Sequence, residues 1–192
     1  PFTFTTAENN ASASFAITAT DPDANTTLVY SKSGPDADKF DLNASTGTLT
    51  FVNPPDYENP TDADANNTYE ILVSVTDGEA NATQAVTVAV TDVNEVPTIT
   101  SFDGNGTVAL SIGEGSRFGQ TVRATDPDGD ALVYSLLGGA DAGEFSINAA
   151  TGELTLIGFP DFENPRDANG DNLYEATVSV TDGRGGSDTQ VF

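Results

Sequence analysis

Carboxylates are the groups with which this sequence could do chemistry, and they recur in fixed company. DYENP occupies Asp56–Pro60 and DFENP occupies Asp161–Pro165; ATDPD occurs at Ala19–Asp23 and Ala124–Asp128; SVTDG occurs at Ser74–Gly78 and Ser179–Gly183. An oxygen-rich stretch follows each DxENP: Asp62-x-Asp64-x-Asn66 before Glu70, and Asp167-x-Asn169-Gly170-Asp171 before Glu175. Between the copies lies Asp92-Val93-Asn94-Glu95-Val96-Pro97. A hard cation such as calcium takes six to eight oxygens from carboxylates, side-chain amides and backbone carbonyls, often drawn from separate loops. Zinc and copper prefer nitrogen and sulfur ligands, and the chain has no His and no Cys. Magnesium keeps several waters, for which so many carboxylates leave little room.

The same residues exclude other chemistry. There are 30 acidic residues against 6 basic ones, a formal net charge of −24. Self-repulsion of that size opposes compaction. A phosphate backbone needs Lys and Arg that this chain lacks, so neither nucleic acid nor an anionic membrane surface is an expected partner. Generic surface hydration or a salt-rich habitat would also give acidity, but it would spread carboxylates along strand faces, and these sit in motifs at strand ends. Asp56 with Glu58, or Asp161 with Glu163, could be imagined as a glycosidase pair. Their i, i+2 spacing, their duplication and the absence of His or Cys for acid, base or nucleophile work argue against an enzyme. There is no apolar run of about 20 residues and no signal-peptide pattern. A start at Pro1 and a stop at Val191-Phe192, in what reads as a strand, suggest a piece of a longer protein.

The motifs repeat because the chain does: from Asp56 to Asp161 the offset is 161 − 56 = 105, and it also relates Phe40 to Phe145, Tyr69 to Tyr174 and Asp77 to Asp182. Two homologous units are expected, 1–96 and 97–192, the last strand of the second being cut short. In Tyr69–Thr76 the residues Tyr69, Ile71, Val73 and Val75 share one parity, and Tyr174, Ala176, Val178 and Val180 repeat it; period two predicts strands. Further strands are expected over 14–20, 27–33, 48–52 and 84–91, then over 121–125, 131–137, 153–157 and 187–192, with Pro, Gly, Asn and Asp clusters between them. Asp36–Phe40 and Asp141–Phe145 read as helical turns. Short strands without a helical period predict an all-β chain of two tandem Greek-key antiparallel sandwiches of immunoglobulin-like type, end to end. Tyr30, Phe40, Tyr69, Tyr134, Phe145 and Tyr174 are expected in the cores; Phe102, Phe118 and Phe159 are not placed by pattern. The short linker before Pro97 lacks the Gly and Ser of a flexible tether. The loops after DxENP start like an EF-hand, but its closing glutamate would fall at Val73 or Val178, so an added ion and a solvated Asx turn both remain open there.

With these motifs the chain resembles the cadherin family over essentially its whole length, twice. The resemblance implies calcium held where two repeats join. Its ligands would be Glu8, Asp56 and Glu58 of the first repeat, then Asp92, Asn94 and Glu95 with the backbone of Val93 and Val96 in the linker, then Asp126, Asp128 and Asp182 of the second. Glu95 stands where the family usually has Asp, and Val96 where it usually has Asn. Asp21, Asp23 and Asp77 match the receiving end of a joint with a preceding repeat; Glu114, Asp161 and Glu163 match the giving end of one with a following repeat. The added loops contribute Asp62, Asp64, Asn66, Asp167, Asn169 and Asp171 as further candidates. The DxENP form is closest to bacterial surface adhesins and their biofilms, and no Trp is available for the strand exchange of animal cadherins. The expected role is a calcium-stiffened structural and adhesive repeat pair of a secreted or cell-surface protein, with neighbouring repeats as its partners. A calcium-dependent module for polysaccharide or for a surface protein is the alternative.

Overall fold

The computed structural model describes residues 2–23, 26–104 and 106–192. The chain divides into two compact units, one ending at Val93 and the other spanning Asn94–Phe192.

In the first unit, strands form at β1 (Phe2–Ala7), β2 (Ser14–Ala16), β3 (Val29–Ser33), β4 (Phe40–Leu42), β5 (Thr48–Phe51), β6 (Thr68–Thr76) and β7 (Asn81–Thr91). They make one sheet in the order β1-β7-β6-β3 and another in the order β2-β5-β4. The β6–β7 hairpin is the backbone of the first sheet, paired from Thr68↔Ala89 to Thr76↔Asn81. Alternation decides which face is wet: Tyr69, Ile71 and Val73 are buried, whereas Glu70 and Leu72 between them are exposed. The inner faces meet through aromatic pairs, Phe40 edge-on to Tyr69 at 5.8 Å and Phe4 against Phe15 at 5.0 Å. Each such buried side chain contributes about 1.5–3 kcal/mol. The expected sandwich is present with one difference. β1, which the sequence pattern did not mark, lies parallel to β7 from Phe2↔Val86 to Ala7↔Thr91. Its register is set by a partner some 85 residues away, a pairing that no local period encodes.

The second unit contains β8 (Thr98–Ile99), β9 (Gly119–Thr121), β10 (Ala124–Thr125), β11 (Val133–Gly138), β12 (Phe145–Ile147), β13 (Glu153–Leu156), β14 (Thr177–Thr181) and β15 (Ser187–Val191). Its sheets run β11-β14-β15, β12-β13-β9 and β10-β8. Val122, Leu154, Ala176, Val178 and Val180 form the centre of its core. The strand expected over 121–125 splits into β9 and β10, and the one expected from Tyr174 begins only at Thr177. Tyr174 is consequently half-buried, unlike the other five expected core aromatics. Both expected helical turns are 3-10 turns, Ala37–Lys39 and Ala142–Glu144.

Of the aromatics that the pattern left unplaced, Phe118 packs against this core, edge-on to Phe145 at 6.1 Å, and Phe102 stands edge-on to Phe192 at 5.4 Å. The third, Phe159, is 51% exposed and lies under the Arg117 guanidinium. Gly47 and Gly152 hold matching tight turns at φ +70° and +69°. A Cβ at either would strike a backbone carbonyl, that of Ile17 or of Val122.

Candidate metal-binding poles

Each unit carries acidic loops whose placement follows from its core. The hydroxyl of buried Tyr30 accepts a hydrogen bond from Ala19 N at 3.0 Å, and that of Tyr134 accepts one from Ala124 N at 3.1 Å. A core side chain thus pins the first residue of each ATDPD motif.

In the first unit, Glu8 directly follows β1 and is only 3% exposed. Its backbone N–H donates to Thr91 O at 3.0 Å, its Oε2 accepts from Tyr57 N at 2.7 Å, and its Oε1 accepts from Val93 N at 2.8 Å. One carboxylate therefore ties the DxENP loop to the end of β7. Asn9 follows in the left-handed region at φ 57° and donates its N–H to Pro55 O at 2.8 Å, turning the chain past that loop. Asp56 closes its own Asx turn by accepting from Asn59 N at 2.9 Å. An oxygen of Glu58 lies within 4.8 Å of one on Glu8 and of one on Asp92. The structure so gathers Glu8, Glu58, Asp92 and the loop that carries Asp56.

In the second unit, Asn94–Pro97 folds over the ATDPD and VTDG loops. Asn94 Nδ2 donates to Asp182 Oδ2 at 2.8 Å and to the Glu95 carbonyl at 3.1 Å, and Glu95 N donates to Asp128 Oδ2 at 2.8 Å. Asp182 is buried, and its Oδ1 accepts from the N–H groups of Arg184, Gly185 and Gly186 at 2.8–3.0 Å. The Asn94 amide first, then these backbone donors, hold its carboxyl below the ordinary range against the opposing effect of desolvation. Oxygens of Asp126, Asp128 and Asp130 lie within 4.8 Å of one another. Asp130, which sequence reasoning did not single out, pairs with Arg184 Nε at 2.9 Å.

Three oxygens of this pole, Asn94 Oδ1, Asp126 Oδ2 and Asp128 Oδ1, are shielded from water and accept no hydrogen bond. Burying such groups without a partner costs on the order of 1–3 kcal/mol each, more where charged. A bound cation removes that cost, so the donor set fits a hard, oxygen-ligated metal.

The other candidates are more open. Asp21 Oδ1 accepts from Asp23 N at 2.8 Å, and Asp77 Oδ1 accepts from Glu79 N and Ala80 N at 2.8 and 2.6 Å. The backbone donors of Ala80 and Glu79 hold Asp77 below the ordinary carboxylate range. Glu114, Asp161 and Glu163 converge within 4.8 Å, all exposed. Glu114 Oε2 accepts from Phe162 N at 3.3 Å, and Asp161 Oδ1 accepts from Asn164 N at 3.1 Å.

In the loops after DxENP, backbone donors engage much of the oxygen. Asp62 accepts from Asn66 N and Asn67 N at 2.8 and 3.2 Å, and Asn66 bridges Asp64 and Thr68 N. Desolvation, then contact with the Asp62 carboxylate, pushes Asp64 up. Asp167 Oδ2 and Asn169 Oδ1 both accept from Asp171 N, and Asp171 Oδ1 accepts from Leu173 N at 2.8 Å. These loops are knit as Asx turns.

Two carboxylates that sequence reasoning passed over hold the loops in place. Buried Asp36 accepts from Ala63 N and Glu70 N, both at 2.7 Å. Buried Asp141 accepts from Ala168 N at 2.5 Å and Glu175 N at 2.8 Å. Their signal was present in the repeat, since 141 − 36 = 105.

Comparison with known proteins places this arrangement in a class. Residues 2–91 match the Cadherin domain and residues 93–192 match the Bacterial Ig domain. Human Protocadherin-16 is 32% identical over 167 residues, covering 77% of this chain, and human Protocadherin Fat 1 is 32% identical over 172 residues, covering 86%. The chain spans 5% and 4% of the length of these two relatives. Its fold is similar to the structure of human Protocadherin-24 EC1-2, with a TM-score of 0.58 and 22% identity over 99% of this chain and 89% of that one. It is likewise similar to mouse Cadherin-23 EC22-24, with a TM-score of 0.58 and 21% identity over 99% of this chain and 61% of that one.

The chain belongs to the cadherin-like, bacterial Ig-type sandwiches. It is a tandem pair of cadherin-like repeats, similar in sequence to protocadherins. Among the described residues no helix is long and apolar enough to cross a membrane.

Proposed function

We propose that this pair is a calcium-dependent structural and adhesive element of a secreted or cell-surface protein of the bacterial adhesin kind, with calcium coupling one repeat to the next. The observation that carries this reading is the set of buried acceptors Asn94 Oδ1, Asp126 Oδ2 and Asp128 Oδ1, which lack a donor. Asp126, Asp128, Asp182 and Asn94, with Glu95 and the Val96 carbonyl, would hold the ion from the second unit. Glu8, Asp56, Glu58 and Asp92, with the Val93 carbonyl, would hold it from the first. Val93 and Asn94 are consecutive, so the two sets are borne by neighbouring stretches of chain. The ion supplies charge neutralisation to a chain of net charge −24. By mass action, a cation bound only by the folded pair at 100 times its dissociation constant stabilises it by about 2.7 kcal/mol.

The match of residues 93–192 to the Bacterial Ig domain favours the bacterial setting, and neighbouring repeats of the same polypeptide are the expected partners. The oxygen-rich loops of Asp62, Asp64, Asn66, Asp167, Asn169 and Asp171 are assigned to turn closure first, and Asp167 Oδ1, buried without a donor, favours an ion in the second of them. Exposed Phe159 beneath Arg117 favours a second reading as a polysaccharide- or protein-binding module. Phe102 and Phe118, both packed against other rings, offer it no further platform.

Titration calorimetry with calcium, beside thermal melting with and without a chelator, tests the proposal. The expected result is saturable uptake and a higher melting temperature with the ion, both reduced in Asp128→Ala and Asp92→Ala. No uptake at millimolar calcium would sink it.

A further inference from the structure

The two loops that follow the DxENP motifs differ at their tips. Asn169-Gly170-Asp171 stands where the first unit has Asp64-Ala65-Asn66, at the repeat offset of 169 − 64 = 105. Each tip pairs one amide with one carboxylate, in opposite order: Asn66 Nδ2 donates to Asp64 Oδ2 at 2.8 Å, and Asn169 Nδ2 donates to Asp171 Oδ2 at 2.9 Å. Reversing the order puts an asparagine directly before a glycine, and that changes the chemistry open to the loop.

The amide carbon of an asparagine is an electrophile, and the backbone nitrogen of the next residue can close a cyclic imide on it. Glycine has no Cβ to crowd that approach. Asn169 and Gly170 are both exposed and lie outside any strand. Gly170 sits at φ +74°, with open space where a Cβ would be. Among the described residues its N–H donates no hydrogen bond, whereas the N–H of Ala65, at the equivalent position, donates to Asp62 O at 3.3 Å. The nucleophile is therefore free in the second loop and engaged in the first. The electrophile is also prepared: Asn169 Oδ1, which takes up negative charge when Cγ is attacked, accepts from Asp171 N at 3.2 Å.

We infer that Asn169-Gly170 is a self-modification site, at which the chain converts its own asparagine amide into a carboxylate. Gly170 N attacks Asn169 Cγ and a C–N bond forms. The Cγ–Nδ2 bond breaks, and Nδ2 leaves as ammonia with the proton given up by Gly170 N. Water then opens the imide. Attack at Cγ gives aspartate, and attack at the backbone carbonyl gives isoaspartate, whose main chain runs through the side-chain carbon. No oxidant and no metal take part, so the reaction stands apart from the ions proposed above. Its product replaces the Nδ2 donor beside Asp171 Oδ2 with a carboxylate, the third in this loop after Asp167 and Asp171. The first loop has Asp64 at this position and no amide there to lose.

The test incubates the intact chain with a chelator at mildly alkaline pH in heavy-oxygen water and maps its peptides by mass spectrometry. Mapping separates position 169 from the second Asn-Gly pair, Asn105-Gly106. The internal reference is Asn148-Ala149: Asn148 is likewise exposed and its Oδ1 accepts from Ala150 N at 3.0 Å, but the residue after it carries a Cβ. Position 169 is expected to take up heavy oxygen about tenfold or more faster than position 148, partly as isoaspartate. Gly170→Ala is expected to slow that uptake by about tenfold or more. Ala65 holds φ 55° at the equivalent place, so the loop backbone accommodates this substitution. Equal rates at 169 and 148, or a rate at 169 unchanged by Gly170→Ala, would overturn the inference. Uptake at 169 that appears only after the chain is unfolded in urea would overturn it too, since the folded loop would then withhold the reaction.

Discussion

The two repeats carry the same acidic motifs, and equivalent carboxylates in them differ in their surroundings. Glu8 and Glu114 occupy equivalent positions before a DxENP loop, yet Glu8 is buried and Glu114 is exposed. Both glutamates accept a hydrogen bond from the loop, through Tyr57 N and Phe162 N. Glu8 is held in addition by the chain at the end of β7, donating its N–H to Thr91 O and accepting from Val93 N. In the first repeat the glutamate of the motif is buried because the chain that leaves β7 runs beside it.

The comparison can be broken at the equivalent aromatics Tyr69, which is buried, and Tyr174, which is half-buried. Tyr69→Ala is expected to cost about 3–5 kcal/mol, the range for a large, fully buried ring. Tyr174→Ala, at a half-buried site, is expected to cost no more than about half of that. Urea unfolding of each variant measures the difference, and equal losses would mean that the two rings are equally buried in solution. A smaller effect tests where the repeats are alike. Removing Asp36 leaves the N–H groups of Ala63 and Glu70 without their acceptor, and removing Asp141 does the same to Ala168 and Glu175. Either change to Ala is expected to cost about 1–3 kcal/mol, with matching values for the two. The smallest effect belongs to a feature without a counterpart among the described residues of the first unit. The Arg184–Asp130 pair is half-exposed on its arginine side, so Arg184→Ala is expected to shift stability by at most about 1 kcal/mol. A larger loss would make that pair part of the framework of the acidic loops.

Much of the fold was legible because it is local. The parity of Tyr69, Ile71 and Val73 marks β6 in the sequence, and the matched Gly47 and Gly152 turns fall inside the repeated Thr-Gly motif. The acidic loops were legible for the same reason, since each motif is a short word copied at a constant offset. Other features were not. β1 needed β7 to define it, and the buried anchors Asp36 and Asp141 look in sequence like any surface Asp in a turn. Their role appears only when the N–H groups of residues 27 and 34 positions away arrive beside them.

By itself the sequence determined the repeat, the strand periodicity and the oxygen-only character of the candidate ligands, because each depends on residue type and spacing along one stretch of chain. Tertiary structure alone decided which carboxylates are buried and which buried oxygens lack a donor. Burial and hydrogen-bond satisfaction depend on what distant segments bring to a site, and a single backbone N–H from the next strand is enough to change the answer.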